Sequence, residues 1–197
     1  MDFTLVLSSV CVYCGSSSLV APAFKTSANI LGTELARQGV SVVYGGGHVG
    51  LMGIVADSAL KAGGKVYGII PEHIRAQEVQ HMGLTELHVV TDMHTRKRMM
   101  VERAEAFVIL PGGLGTLDEA FEIITWKKLK LHNKPIIILN QDGYWNDMLA
   151  LIDKTIAEGF SQAPDRLLFD VTDSVEGVLA LLNEPAVQDH VVLTGRM

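Results

Sequence analysis

Phe107-Val108-Ile109-Leu110-Pro111-Gly112-Gly113-Leu114-Gly115-Thr116-Leu117-Asp118-Glu119 passes from an apolar run, through a loop of glycines, into a helical pattern. The run shows no polar alternation, as expected of a strand covered on both faces. Beyond the loop, Leu117, Phe121 and Ile124 recur at helical spacing. The segment therefore reads as strand, tight turn and helix, with the apolar stripe turned toward a sheet.

The same unit recurs outward in both directions. Further strands are predicted at Val10 to Tyr13, Val40 to Tyr44, Lys65 to Ile70, Glu86 to Val90 and Pro135 to Leu139, with a weaker one at Leu167 to Val171. Phe24, Ala28, Leu31 and Leu35 mark a helix between the first two, and Gly50 to Ala62, Asp92 to Ala104, Trp145 to Glu158 and Ser174 to Leu182 mark the others. This alternation predicts an α/β protein: a Rossmann-like, doubly wound parallel sheet with helices on both faces and ligands at the carboxyl ends of the strands. One domain is expected over residues 1–197, with a core of about 10–182 and a poorly ordered tail after Pro185.

The 197 residues suffice for a core that buries roughly 70% of the unfolded chain's surface, so no disulfide or metal staple is required. The net charge of −6 comes without a basic stripe, which argues against nucleic acid as a partner. Apolar runs are too short to span a membrane, and Met1-Asp2-Phe3-Thr4 lacks the positive region of a signal peptide. The two cysteines, Cys11 and Cys14, suit a reducing compartment, and the protein is expected to be cytoplasmic. On a strand they point to opposite faces, so they read as core thiols.

Three strand ends carry small residues where a helix should begin: Cys14-Gly15-Ser16-Ser17-Ser18, Gly45-Gly46-Gly47-His48-Val49-Gly50, and Pro111 to Thr116. Glycine lets backbone amides approach an anion, and a helix N-terminus offers unpaired N–H groups. A phosphorylated ligand is the natural guest, with Gly15, Ser16, Gly45, Gly46, Gly47 and Gly112 as additional candidate contacts. Gly45, Gly47 and Gly50 formally satisfy a dinucleotide fingerprint, but after the second strand rather than the first and without the usual acidic residue. No loop ends in the Lys-Ser/Thr of a triphosphate-binding P-loop.

Thr116 and Glu119 have capping-box spacing, which is one reading of both. The other is chemical: a carboxylate near a helix N-terminus stays ionised beside a phosphate site. Met93-His94-Thr95-Arg96-Lys97-Arg98-Met99-Met100 places cations at the start of a helix, where the dipole disfavours them unless an anion binds. Arg96 and Arg103 share a face with Met99 and Met100 between them, while Lys97 and Arg98 also fit a solvated charged face.

These residues resemble the Lonely Guy family of cytokinin riboside 5′-monophosphate phosphoribohydrolases, whose members are often mislabelled lysine decarboxylases. Pro111 to Glu119 matches the family's P-G-G-x-G-T-x-x-E motif at every fixed position, and Met93 to Lys97 matches its arginine motif. Tyr44 to Gly47, Gly50 to Gly53, Cys14 to Ser17 and Gly83 to Leu87 add support. The resemblance implies hydrolysis of the N-glycosidic bond of an N6-modified AMP, with AMP itself as a further substrate, giving free base and ribose 5-phosphate. It implies Arg96 and Glu119 as the catalytic pair, Gly113, Leu114, Gly115 and Thr116 as the phosphate loop, and Leu117 and Asp118 as further substrate-binding residues. It also implies Glu78, Lys97 and Thr125 as substrate contacts, and a homodimer or larger homo-oligomer with no metal or other cofactor.

Other readings are weaker. A non-catalytic carrier of a phosphorylated cofactor such as molybdenum cofactor would use the same loops but has no need of both Arg96 and Glu119. A pyridoxal-phosphate decarboxylase needs a Schiff-base lysine, and no lysine is marked out by its context. The seven histidines show no H-E-x-x-H spacing, so no metal is expected. His48, in a glycine loop, is a candidate for indirect ligand contact.

Overall fold

The computed structural model describes residues 7–75 and 79–184. Seven parallel strands form one sheet: β1 (Ser9–Tyr13), β2 (Ser41–Tyr44), β3 (Val66–Pro71), β4 (Glu86–Val90), β5 (Ala106–Ile109), β6 (Ile136–Leu139) and β7 (Asp170–Thr172). Their spatial order is β4-β3-β2-β1-β5-β6-β7. The chain winds outward from β1 to β4, returns to pair β5 with β1, then winds outward the other way. The reversal between β1 and β5 is the topological switch point, where the carboxyl ends of neighbouring strands diverge and leave a crevice.

The helices are α1 (Pro22–Arg37), α2 (Gly50–Lys61), α3 (Met93–Arg103), α4 (Leu114–Lys128), α5 (Asn146–Ala157) and α6 (Val175–Asn183). Helices α1, α2 and α6 pack on one face of the sheet, with Val10 and Val12 of β1 turned toward them. Cys11 and Tyr13 face the opposite core, built with α3, α4 and α5. Period-two alternation thus feeds two cores from one strand, which explains why β5 and β6 are apolar throughout and β1 is buried from Val10 onward. Tyr13 stacks on Phe107 of β5, with ring centroids 6.1 Å apart.

Each predicted strand and helix is present, with shifts at the ends. The weak last strand begins at Asp170 rather than Leu167, because Ala163–Leu167 form a 3-10 turn stabilised by a reciprocal cap between Gln162 and Asp165. On α4 the fully buried residues are Thr116, Ala120 and Ile123, with Leu117 and Ile124 packed beside them. Phe121 departs from the predicted inward stripe and is 37% exposed, since the sheet covers the neighbouring face of the helix. Cys11 and Cys14 are free, buried and on opposite sides of the sheet. No helix among the described residues is long and apolar enough to cross a membrane. Glu78 and the tail at 185–197 lie outside the described residues.

Candidate active site

The crevice between the ends of β1 and β5 opens into a cleft of about 410 Å³. Cys14, Gly15 and Ser16 enter from β1; Gly113, Leu114, Gly115, Thr116, Asp118 and Glu119 enter from the start of α4. Arg96 and Met93 come from α3, Met52 from α2, and His73 and Ile74 from a 3-10 turn after β3.

Helix α4 begins three residues earlier than capping by Thr116 requires. Its N-cap is Gly113, in extended backbone and without a side-chain cap, so Thr116 is the third helical residue and Glu119 lies a turn further on. The capping-box reading is therefore overturned. What remains is a glycine-started helix whose first-turn amides sit at a cleft, the geometry that suits an anion. A Cβ at Gly113 or Gly115 would meet nothing within 4 Å, so the backbone there faces open space. Gly112 is different: a Cβ would strike Thr116 and come within 2.9 Å of the Gly15 amide nitrogen. It is a packing glycine, outside the cleft lining.

Helix α3 starts at Asp92, whose Oδ1 accepts from the Thr95 amide at 2.8 Å. One turn on, Arg96 is only 4% exposed although it lines the cleft. Its Nη2 donates to the Gly45 carbonyl at 3.1 Å, and a Cβ on residue 45 would overlap the guanidinium. A buried cation needs such partners. Gly45, Gly46 and Gly47 do not line the cleft: the loop instead binds the segment after residue 78, with His48 N–H on Val79 O and His81 N–H on Gly46 O. Met52 and Met93 flank Arg96, whereas Met100 is sealed in the core, and Arg103 lies over the Tyr67 ring.

Lys97 is buried, which rules out the solvated-face reading for it, while Arg98 is exposed. Lys97 Nζ lies 3.1 Å from both Asp118 Oδ2 and Glu122 Oε1. Burial pushes its pKa down, but the bonds and charges of Glu122 and Asp118 outweigh burial and hold it above the usual lysine value. Glu122 escaped the sequence reading, although its i+3 spacing from Glu119 was available. Burial, reinforced by the Glu119 charge, pushes the Cys14 thiol well up, so it stays protonated at the cleft wall. Leu117 turns toward the core, and Thr125 lies exposed about 9 Å further along α4 than Glu119, outside the cleft lining.

Among the described residues, His48, Asp57 and His81 form one group with metal-ligand chemistry. Asp57 Oδ2 lies 3.1 Å from His48 Nε2, and its Oδ1 lies 2.9 Å from His81 Nε2. His81 Nδ1, however, accepts from the Gly83 amide at 3.0 Å, which leaves the proton on Nε2. A metal-ligating imidazole needs the reverse arrangement. The cluster ties α2 to the two loops and does not line the cleft.

A family model described as "Possible lysine decarboxylase" matches residues 52–182. The cytokinin riboside 5′-monophosphate phosphoribohydrolase of Rhodococcoides fascians is 44% identical over 178 residues, 90% of each chain. The chain belongs to the Lonely Guy family of phosphoribohydrolases. An Arabidopsis thaliana family member is 46% identical over 151 residues, covering 77% of this chain and 70% of the relative. The fold is shared with a molybdenum cofactor carrier protein from Chlamydomonas reinhardtii (TM-score 0.66, 22% identity, 89% and 98% of the two chains). A molybdenum cofactor binding protein from Rippkaea orientalis is similar too (TM-score 0.67, 22% identity, 88% and 94% of the chains). At that identity the likeness concerns the fold alone. The decarboxylase label implies pyridoxal phosphate, which needs an imine-forming lysine. The cleft lining contains none, and Lys97 is held protonated by two carboxylates, so the residues of this family member do not fit that cofactor.

Proposed function

We propose that the protein hydrolyses the N-glycosidic bond of cytokinin riboside 5′-monophosphates, and AMP as a further substrate, to free base and ribose 5-phosphate. The observation that carries this reading is the convergence of the open Gly113–Thr116 helix start, Arg96 and Glu119 on one cleft at the switch point.

The first-turn amides of α4 take the 5′-phosphate, and the helix dipole adds to their attraction. Asp118 on the rim keeps Lys97 charged behind them. As the C1′–N9 bond breaks, positive charge develops on the ribose, and the Glu119 carboxylate stabilises it and orients the attacking water. The water oxygen becomes the C1′ hydroxyl, and the departing base takes up the balancing proton. Arg96, fixed by Gly45, holds and orients the nucleotide; a guanidinium stays charged and does not act as the acid. Binding energy from the phosphate, remote from the breaking bond, positions the ribose.

The enzyme works as a homo-oligomer in the cytoplasm. Two free buried thiols suit that compartment. Phe121 and Thr125 on α4 and Leu129 at its C-cap follow one another at four-residue intervals and are exposed, so Thr125 reaches substrate in a neighbouring copy rather than its own cleft. Glu78 completes the substrate contacts that the resemblance implies.

The test is product analysis after incubation with AMP or isopentenyladenosine 5′-monophosphate, with the dephosphorylated nucleosides as controls. Free base plus ribose 5-phosphate from the nucleotides, and intact nucleosides, is the expected result. Folded protein that cleaves neither nucleotide sinks the proposal.

A further inference from the structure

We infer that Tyr144 is a positioning residue for the phosphate loop: its hydroxyl fixes the plane of the Gly112–Gly113 peptide so that the Gly113 amide faces the cleft. The inference rests on the reading of that cleft as a nucleoside monophosphate site. Tyr144 belongs to none of the motifs that mark the site and lies 32 residues from the loop, in the turn before α5.

Its hydroxyl donates to the Gly112 carbonyl at 2.7 Å. The neighbouring carbonyls are held by backbone alone: Pro111 O accepts from Gly15 N–H, and Gly113 O accepts from Leu117 N–H, each at 3.0 Å. The peptide between them joins two glycines, so no Cβ on either side restricts its rotation. A trans peptide points its C=O and N–H in opposite directions. Drawing the Gly112 oxygen toward Tyr144 therefore turns the Gly113 N–H the other way. The lining agrees, since Gly113 borders the cleft and Gly112 does not.

The tyrosine is itself firmly placed. Asp142 and Gly143 both adopt positive φ, 53° and 72°, and reverse the chain ahead of it. The Trp145 amide donates to Asn140 Oδ1 at 2.7 Å. Phe24 and Trp145 meet the Tyr144 ring edge-on, with centroids 5.6 and 4.8 Å away. A ring held on two sides aims its hydroxyl with little remaining freedom.

The experiment is Tyr144→Phe, which keeps the ring and both aromatic contacts and removes only the oxygen. Ribose 5-phosphate affinity is expected to fall about tenfold, the size of a hydrogen bond serving an ionised group, with affinity for adenosine unchanged. The KM for AMP should rise by a similar factor while kcat stays within about threefold and Tm within about 2 °C. Unchanged ribose 5-phosphate affinity, or an equal loss for adenosine, overturns the assignment, as does a wild-type protein that binds no ribose 5-phosphate. If the wild type binds ribose 5-phosphate but cleaves no nucleotide, the hydrolase reading falls, and the same titration still decides the role of Tyr144.

Discussion

The Arg96 guanidinium occupies the space that a side chain on residue 45 would need, and its Nη2 donates to the Gly45 carbonyl at 3.1 Å. A glycine 51 residues away is therefore part of how the cation is aimed. Gly45→Ala should push the guanidinium aside and lower kcat/KM by about a hundredfold, the scale of an ångström-sized misplacement. Steady-state kinetics on AMP, with circular dichroism to confirm the fold, checks this; normal turnover would show that Arg96 acts from another position.

Glu119 carries the proposed charge stabilisation, so Glu119→Gln should cut kcat by about 10²–10⁴-fold and leave ribose 5-phosphate binding within about threefold. Single-turnover assays and a binding titration separate the two. An active Gln variant would remove Glu119 from the catalytic role.

The contacts of Lys97 with Asp118 and Glu122 predict a stability effect as well as a kinetic one. Lys97→Met should cost about 2 kcal/mol in urea unfolding, because Glu122, 22% exposed, loses its cation. The double variant Lys97→Met/Glu122→Met should recover part of that loss, giving a coupling of about 1 kcal/mol. Strictly additive losses would mean that the two side chains act independently.

Asp92 gives a pH prediction. The Thr95 amide bond, with the Thr91 and Thr95 hydroxyls, brings its pKa down from 3.8 to about 2. A carboxylate with a lowered folded-state pKa contributes stability above its unfolded value and loses it as pH falls through the folded one. The Tm advantage of wild type over Asp92→Asn should therefore be full above about pH 4 and shrink toward pH 2. A difference that stays constant across that window would rule out this linkage.

Much of the fold was legible because each strand is a short apolar run and each helix repeats its apolar residues at its own period. Where the reading slipped, competing packing decided. Gly113 starts α4 about one turn ahead of Thr116, so Thr116 is buried instead of capping. Phe121 turns outward because Ala120 and Ile123 take the sheet side. The motif residues Arg96, Gly113, Gly115, Thr116 and Glu119 do meet in one cleft, while Gly45 accepts from Arg96 behind it and Thr125 lies exposed outside the lining.

By itself the sequence determined the alternation of strands and helices, the glycine turns at strand ends and the residues carrying charge to them. These depend on local periodicity and backbone freedom, which neighbouring residues encode. Tertiary structure decided which turn borders the cleft, because the reversal between β1 and β5 brings Gly15 to Pro111 and leaves Gly45 behind Arg96. It also decided the roles of Lys97, Glu122 and Tyr144. Their partners lie 21 or more positions away along the chain, and only the closing of the sheet brings such groups within hydrogen-bond reach.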